Sequence, residues 1–152
     1  MRWVHPYFSF AQVMAVVLSR RVDFPMVDMA GIVYYPQYWD LCHRFFEESW
    51  SEIVGIDYPT LLKEHSIGLP AVHTECDYLA PLTYGDTVHC TLWIEKVGES
   101  SVTWRYEYYN QHQKLVWTAT VVTVCIKMDS YEKISVPDFV RTGRLACQPL
   151  EE

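Results

Sequence analysis

The chain predicts an α+β fold in which one long helix is wrapped by a curled, mainly antiparallel sheet of about five strands. Two patterns carry this expectation. At about 100° per residue, Tyr38, Trp39, Leu41, Cys42, Phe45, Phe46, Trp50 and Ile53 fall on one half of a helical wheel, while Gln37, Asp40, His43, Arg44, Glu47 and Ser51 occupy the other. Glu52 is the exception. An apolar arc that wide and that aromatic exceeds what one neighbouring helix covers, so it is expected to lie on a sheet. The second pattern is a succession of segments after residue 70 with period-two alternation. Only this one helix is long enough to cover their apolar face.

The elements follow in order. Residues 16–24 read as a strand of mixed character that ends at Pro25. Pro36 suits the first position of the long helix, where its missing N–H costs nothing, and Gly55 suits the position just past its end. Residues 58–65 predict a short helix with Pro59 near its start and Leu61 and Leu62 to bury, closed by Gly68 and Pro70. In residues 71–78, Val72, Cys76 and Tyr78 alternate with His73, Glu75 and Asp77. Pro81 then demands a bulge or bend, and Tyr84-Gly85-Asp86 supplies a turn. Residues 87–96 set Val88, Cys90, Leu92 and Ile94 against polar neighbours, and after a connection at 97–100 the same holds for Val102, Trp104, Tyr106 and Tyr108. Residues 115–128 are β-branched and apolar on both faces, which suits a central strand. The strands are expected to join by consecutive hairpins, and Val136 to Phe139 to start one last helical turn. The organisation is an N-terminal extension at 1–15, a single domain at 16–140 and a C-terminal tail at 141–152.

With 152 residues, half of them hydrophobic, the chain suits one domain with a real core. A net charge of −7 with only 12 scattered Lys and Arg argues against a nucleic-acid binder but leaves room for one small anionic ligand. The five cysteines, Cys42, Cys76, Cys90, Cys125 and Cys147, are odd in number and show no metal or redox spacing. They read as free thiols in a reduced, cytoplasmic compartment. The apolar run at 8–18 is too short to span a bilayer, and no membrane span is expected elsewhere.

The chemistry concentrates between residues 28 and 35. A carboxylate of ordinary pKa, about 4, is ionised at neutral pH and ready to attack a carbonyl or activate water. Backbone N–H groups at a helix start, here Gly31 through Tyr35, are unpaired by helix geometry and sit at the positive end of the dipole, where they stabilise a developing oxyanion. Asp28, Gly31 and a helix N-terminus are thus a carboxylate, a flexible turn and an oxyanion-stabilising group within eight residues, a set that could serve acyl transfer without metal or cofactor. The plainer reading of Asp28 is a turn residue or cap.

The run Asp28-Met-Ala-Gly31-Ile-Val-Tyr-Tyr35-Pro36-x-Tyr38 resembles the signature of the 4-hydroxybenzoyl-CoA thioesterase family, whose fold is the hotdog fold. Asp77-Tyr78-x-x-Pro81, Tyr84-Gly85-Asp86 and Val136-Pro137 are similar to later stretches of that family. Met26 stands where many members carry a second acid, and Lys96-Val97-Gly98-Glu99 where some carry a basic cluster. The resemblance implies an acyl-CoA thioesterase that hydrolyses a thioester to acid and coenzyme A thiol, as a homodimer or homotetramer with the site at the subunit interface. It implies that Asp28 is catalytic and that the Tyr35 amide polarises the thioester carbonyl. Tyr38, His43, Phe46 and His73 become candidates to line an acyl pocket, and Lys96, Arg141 and Arg144 to meet the coenzyme A phosphates. Coenzyme A would be part of the substrate. A non-catalytic acyl-thioester-binding or assembly protein, and an enoyl hydratase or dehydratase, are the other functions this fold admits.

Overall fold

The computed structural model describes residues 15–146. The expected N-terminal extension lies almost wholly outside the described residues, as do Cys147 and the end of the tail. Strand β1 is Val16–Arg21, followed by a 3-10 turn at Phe24–Met26, helix α1 at Tyr35–Ile53 and a short helix α2 at Tyr58–Lys63. The minute strand β2 is Ile67–Gly68; β3 is Ala71–Tyr78, β4 Thr87–Val97, β5 Ser101–Tyr109, β6 Leu115–Val124, β7 Ile126–Lys127 and the last helix, α3, Asp138–Ala146. Five strands form one antiparallel sheet in the order β1-β4-β5-β6-β3, and β2 pairs with β7.

The expected architecture is present, and α1 owes its place to the arc read on the wheel. Tyr38, Leu41, Cys42, Phe45, Phe46, Trp50 and Ile53 are buried, and Ser49 joins them by donating its hydroxyl to the Phe46 carbonyl at 2.8 Å. The inward alternation of β4 and β5 is also as expected, with Val88, Cys90, Leu92, Ile94, Val102, Trp104, Tyr106 and Tyr108 all buried. Helix and sheet meet through edge-to-face rings, Phe46 on Trp104 at 5.0 Å and Phe45 on Tyr108 at 5.6 Å. Such pairs contribute about 0.5–1.5 kcal/mol each beyond area burial.

Three expectations need correction. The strand at 71–78 does not form a hairpin with β4; Pro81 and the turn at 84–86 carry the chain across, and β3 pairs with β6 at the sheet's edge. Seven of its eight residues are exposed, only Cys76 being half-buried, so its alternation does not mark a covered face here. The long strand at 115–128 breaks at Cys125, which is buried and whose N–H is taken by the Ser100 carbonyl. From Asp138 the chain forms about two and a half helical turns rather than one, reaching Ala146 in what was expected to be tail. Gly143 explains that docking: a Cβ there would fall 2.3 Å from the Ile53 carbonyl oxygen, so only glycine lets α3 close on the end of α1.

Candidate active site

The Asp28 loop is built by backbone hydrogen bonds. The Asp28 N–H donates to the Ile32 carbonyl and the Gly31 N–H to the Asp28 carbonyl, at 3.0 and 2.9 Å. The Asp28 Oδ1 accepts the Ala30 N–H at 2.8 Å, an Asx turn that holds the carboxylate while leaving it exposed. Gly31 has φ +78°, a left-handed conformation that side chains resist, so this turn needs its glycine. Residues 27 and 33 bridge one another, Ile32 bridges Thr83, and the Val33 N–H donates to the Leu82 carbonyl at 2.9 Å. The supporting segment is itself locked. Asp86 accepts the Thr83 N–H at 2.8 Å and the Gln111 amide at 2.8 Å; burial works to raise its pKa, but these donors prevail and hold it below the usual carboxylate value.

Directly after this loop α1 begins, with Tyr34 as its N-cap residue and Pro36 at its second position. Tyr35 is therefore the first helical residue, and helix geometry gives its N–H no partner within the helix. Its side chain is 70% exposed and Met29 is fully exposed, so the Asp28 loop carries apolar side chains open to solvent.

One turn further along α1 a cavity of about 260 Å³ opens between helix and sheet. Trp39, Cys42, His43 and Phe46 form its helical wall, and Leu69, Ala71, Thr74, Tyr106, Val121 and Thr123 the rest. Its buried floor is fixed by the Trp104 indole N–H, which donates to the Thr123 hydroxyl at 3.0 Å. Burial pushes the Cys42 thiol up to about 12, so it is a neutral wall of this cavity at physiological pH. On the opposite flank of α1 lies a groove of about 440 Å³ with Arg20, Arg21 and Arg44 facing Asp23 and Asp40. Among the described residues no cluster of His, Cys, Asp and Glu has a metal-holding arrangement, and no helix is long and apolar enough to cross a membrane.

The structure thus gathers Asp28 and Gly31 in the loop and Tyr35 at the helix start that follows it, with His43 and Phe46 on the cavity wall about two and three turns later. Tyr38 does not line the cavity. It is buried, its ring meets Tyr78 at 5.1 Å, and its carbonyl accepts the Tyr108 hydroxyl at 3.0 Å, so it ties helix to sheet. His73 pairs opposite Val122 on the sheet face away from α1, with Nε2 3.5 Å from Glu75, and does not reach its own chain's cavity. Lys96 is exposed near the far end of β4, nine residues or about 30 Å beyond Thr87. Arg141 donates to the carbonyls of Gly98 and Glu99 at 2.8 and 3.1 Å, pinning the β4–β5 hairpin. Arg144 lies in α3, its side chain outside what the structure describes. The cavity residues not singled out from sequence divide in two. Trp39 and Cys42 belong with Phe46 to the apolar arc legible on the wheel, whereas Thr74, Tyr106, Val121 and Thr123 are brought in by strand register, and Leu69 and Ala71 by the segment entering β3.

Comparison with known proteins agrees with this fold. Residues 22–143 match the model of the thioesterase-like superfamily. A 1,4-dihydroxy-2-naphthoyl-CoA hydrolase of Crocosphaera subtropica is 27% identical over 135 residues, 85% of this chain and 98% of the relative. One from Nostoc punctiforme is 31% identical over 125 residues, 82% of this chain and 83% of the relative. Among solved structures, a 1,4-dihydroxy-2-naphthoyl-CoA thioesterase from Synechocystis superposes with a TM-score of 0.77 at 26% identity, covering 86% of this chain and 96% of its own. A gentisyl-coenzyme A thioesterase gives 0.75 at 25%, covering 83% and 99%. With the Asp28 motif, the helix-in-sheet architecture and the family match in agreement, the chain belongs to the thioesterase-like superfamily and is a thioester hydrolase of the hotdog fold.

Proposed function

We propose that this chain hydrolyses an aryl-CoA thioester, with Asp28 as its catalytic carboxylate. The observation that carries the reading is the exposed Asp28 carboxylate, held by an Asx turn and a backbone-bonded loop immediately before the N-terminus of α1. The thioester carbonyl oxygen would sit on the Tyr35 N–H, where the helix dipole favours the negative charge that develops on attack. Asp28 then either takes a proton from an attacking water or attacks the carbonyl carbon itself, giving an anhydride that water opens. In both routes the C–S bond breaks, coenzyme A leaves as a thiolate, a fair leaving group, and the acid is released. Gly31 keeps the approach to the carbonyl clear.

The aryl assignment rests on the cavity's aromatic helical wall and on the hydroxyaryl thioesters for which the relatives are named. A homodimer is part of the proposal. The exposed β3 edge, with Val72, Tyr78 and Leu79 at 47–60% exposure, is a row of unpaired backbone groups of the kind that a second copy covers by extending the sheet. The test is a panel of short-chain, long-chain and aryl CoA thioesters with free thiol followed against time. Aryl thioesters are expected to turn over fastest, and Asp28→Asn to lower that turnover at least about 100-fold, in line with loss of a positioned catalytic group. Near-normal activity of the variant would remove Asp28 from the mechanism.

A further inference from the structure

Phe24 and Tyr84 face solvent as a pair. They are 72% and 60% exposed, yet their rings meet edge-to-face with centroids 5.8 Å apart. Both stand on locked backbone. Phe24 opens the 3-10 turn, in which the Met26 N–H donates to the Asp23 carbonyl at 3.0 Å, and Tyr84 precedes Gly85, whose N–H donates to the Val22 carbonyl at 3.0 Å. A single exposed apolar side chain is ordinary, but two rings at a right angle form a corner, where a flat heterocycle stacked on one ring meets the other edge-on. Arg21 stands beside them. Its Nε and Nη2 bond Asp23 Oδ1 at 2.9 and 2.8 Å, which leaves the Nη1 donors of the guanidinium, and it interacts electrostatically with Tyr84.

The corner lies close to Asp28. Phe24 precedes Asp28 by four residues, so their Cα atoms are within about 14 Å of one another. Thr83, next to Tyr84, bridges Ile32 of the Asp28 loop. Phe24 follows β1, at the opposite end of the sheet order from β3, so the corner lies away from the edge where a second copy is proposed to pair. The acyl cavity is on the β3 flank of α1. A thioester whose carbonyl rests at the helix start and whose acyl group enters that cavity sends its sulfur, with the carrier attached, toward the other flank. There Arg20, Arg21 and Arg44 gather in a chain whose net charge is −7.

Resting on the thioesterase reading above, we propose that the Phe24–Tyr84 corner stacks the adenine of coenzyme A, with Arg21 meeting a phosphate of the same nucleotide. The enzyme thereby prefers coenzyme A thioesters to thioesters of a pantetheine arm without the nucleotide, the form an acyl carrier protein presents. Stacking supplies most of the recognition, because the Arg21–Asp23 pair is neutral as a whole and a purine offers aromatic rings a flat π-face.

The experiment compares kcat/KM for benzoyl-CoA and benzoyl-pantetheine in the wild type, the double variant Phe24→Ala/Tyr84→Ala, the conservative double variant Phe24→Tyr/Tyr84→Phe, and Arg21→Ala. The wild type is expected to favour the coenzyme A substrate at least about tenfold, the scale of one base stacked on aromatic side chains. The double alanine variant should bring that ratio close to one through KM, the conservative variant should keep it, and Arg21→Ala should lower it about twofold, as for an exposed charge. An unchanged ratio in the double alanine variant, or a wild type without preference, overturns the proposal. A double alanine variant that elutes as a smaller species and loses both substrates equally makes the corner a subunit contact and overturns it too. Equilibrium dialysis with adenosine 3′,5′-bisphosphate reads the corner apart from hydrolysis. The wild type is expected to bind it at least about fivefold more tightly than the double alanine variant, and equal affinity, or no binding by the wild type, overturns the proposal. Failure to release thiol from any thioester overturns the thioesterase reading instead, and the dialysis then still decides whether the corner holds a nucleotide.

Discussion

The two flanks of α1 face the same sheet and are finished in opposite ways. Toward β1 the helix presents Asp40, Arg44 and Glu48, and these are closed by charge. Arg44 bonds Asp40 at 2.8 Å, while Arg20 pairs with Glu48 and lies over the Phe45 ring at 5.7 Å. Toward β3 it presents Trp39, His43 and Phe46, and their apolar surface is left over a cavity. Ion pairs at an exposed flank contribute little and can be satisfied by water, so the polar groove needs no ligand. Apolar surface around a cavity has no such substitute. The difference supports the proposed acyl pocket on the β3 side, next to the edge where a second copy is proposed to pair.

The largest effect should come from Trp104→Ala, because Trp104 touches Phe46 and Trp50 and holds the Thr123 hydroxyl beneath the cavity. A loss of about 3–5 kcal/mol in urea unfolding is expected. A loss below about 1 kcal/mol would mean that the aromatic layer does not hold this flank. Filling the cavity is gentler. Val121→Phe should lower the ratio of aryl to acetyl thioester turnover about tenfold, the scale of discrimination an apolar pocket achieves by size. An unchanged ratio would place the acyl group elsewhere. On the opposite flank Arg44→Ala should shift stability by no more than about 0.5 kcal/mol, read as the urea midpoint. A shift of several times that size would show that the charged flank is structural after all.

How far the sequence could be read depends on whether a feature is local. The buried arc of α1 and the inward positions of β4 and β5 follow from periodicity, which the chain carries residue by residue, and they appear in the fold as expected. The fold class and the thioesterase resemblance hold for the same reason, since the Asp28 motif is contiguous. What failed is pairing. Nothing within residues 71–78 states that they join β6 at the edge instead of β4, because that choice is made by the sheet as a whole. Tyr38 has the same lesson at the scale of one side chain. Its place on the wheel is right, but only the positions of Tyr78 and Tyr108 decide that it is core while Trp39 beside it lines the cavity.

The loop that bears Asp28 is tied by Val33 and Ile32 to Leu82 and Thr83, about fifty residues later in the chain, a separation that makes its closure entropically costly. Helix α1 needs no such distant partner to begin forming, so the Asp28 turn is the younger structure. In refolding from urea, thiol-releasing activity should therefore return after the far-ultraviolet helix signal, and simultaneous recovery of the two would show that the turn forms on its own. A nascent or partly opened chain would hold a recognisable helix and no formed Asp28 turn, which, with Asp28 in the proposed role, confines hydrolysis to molecules that have finished folding.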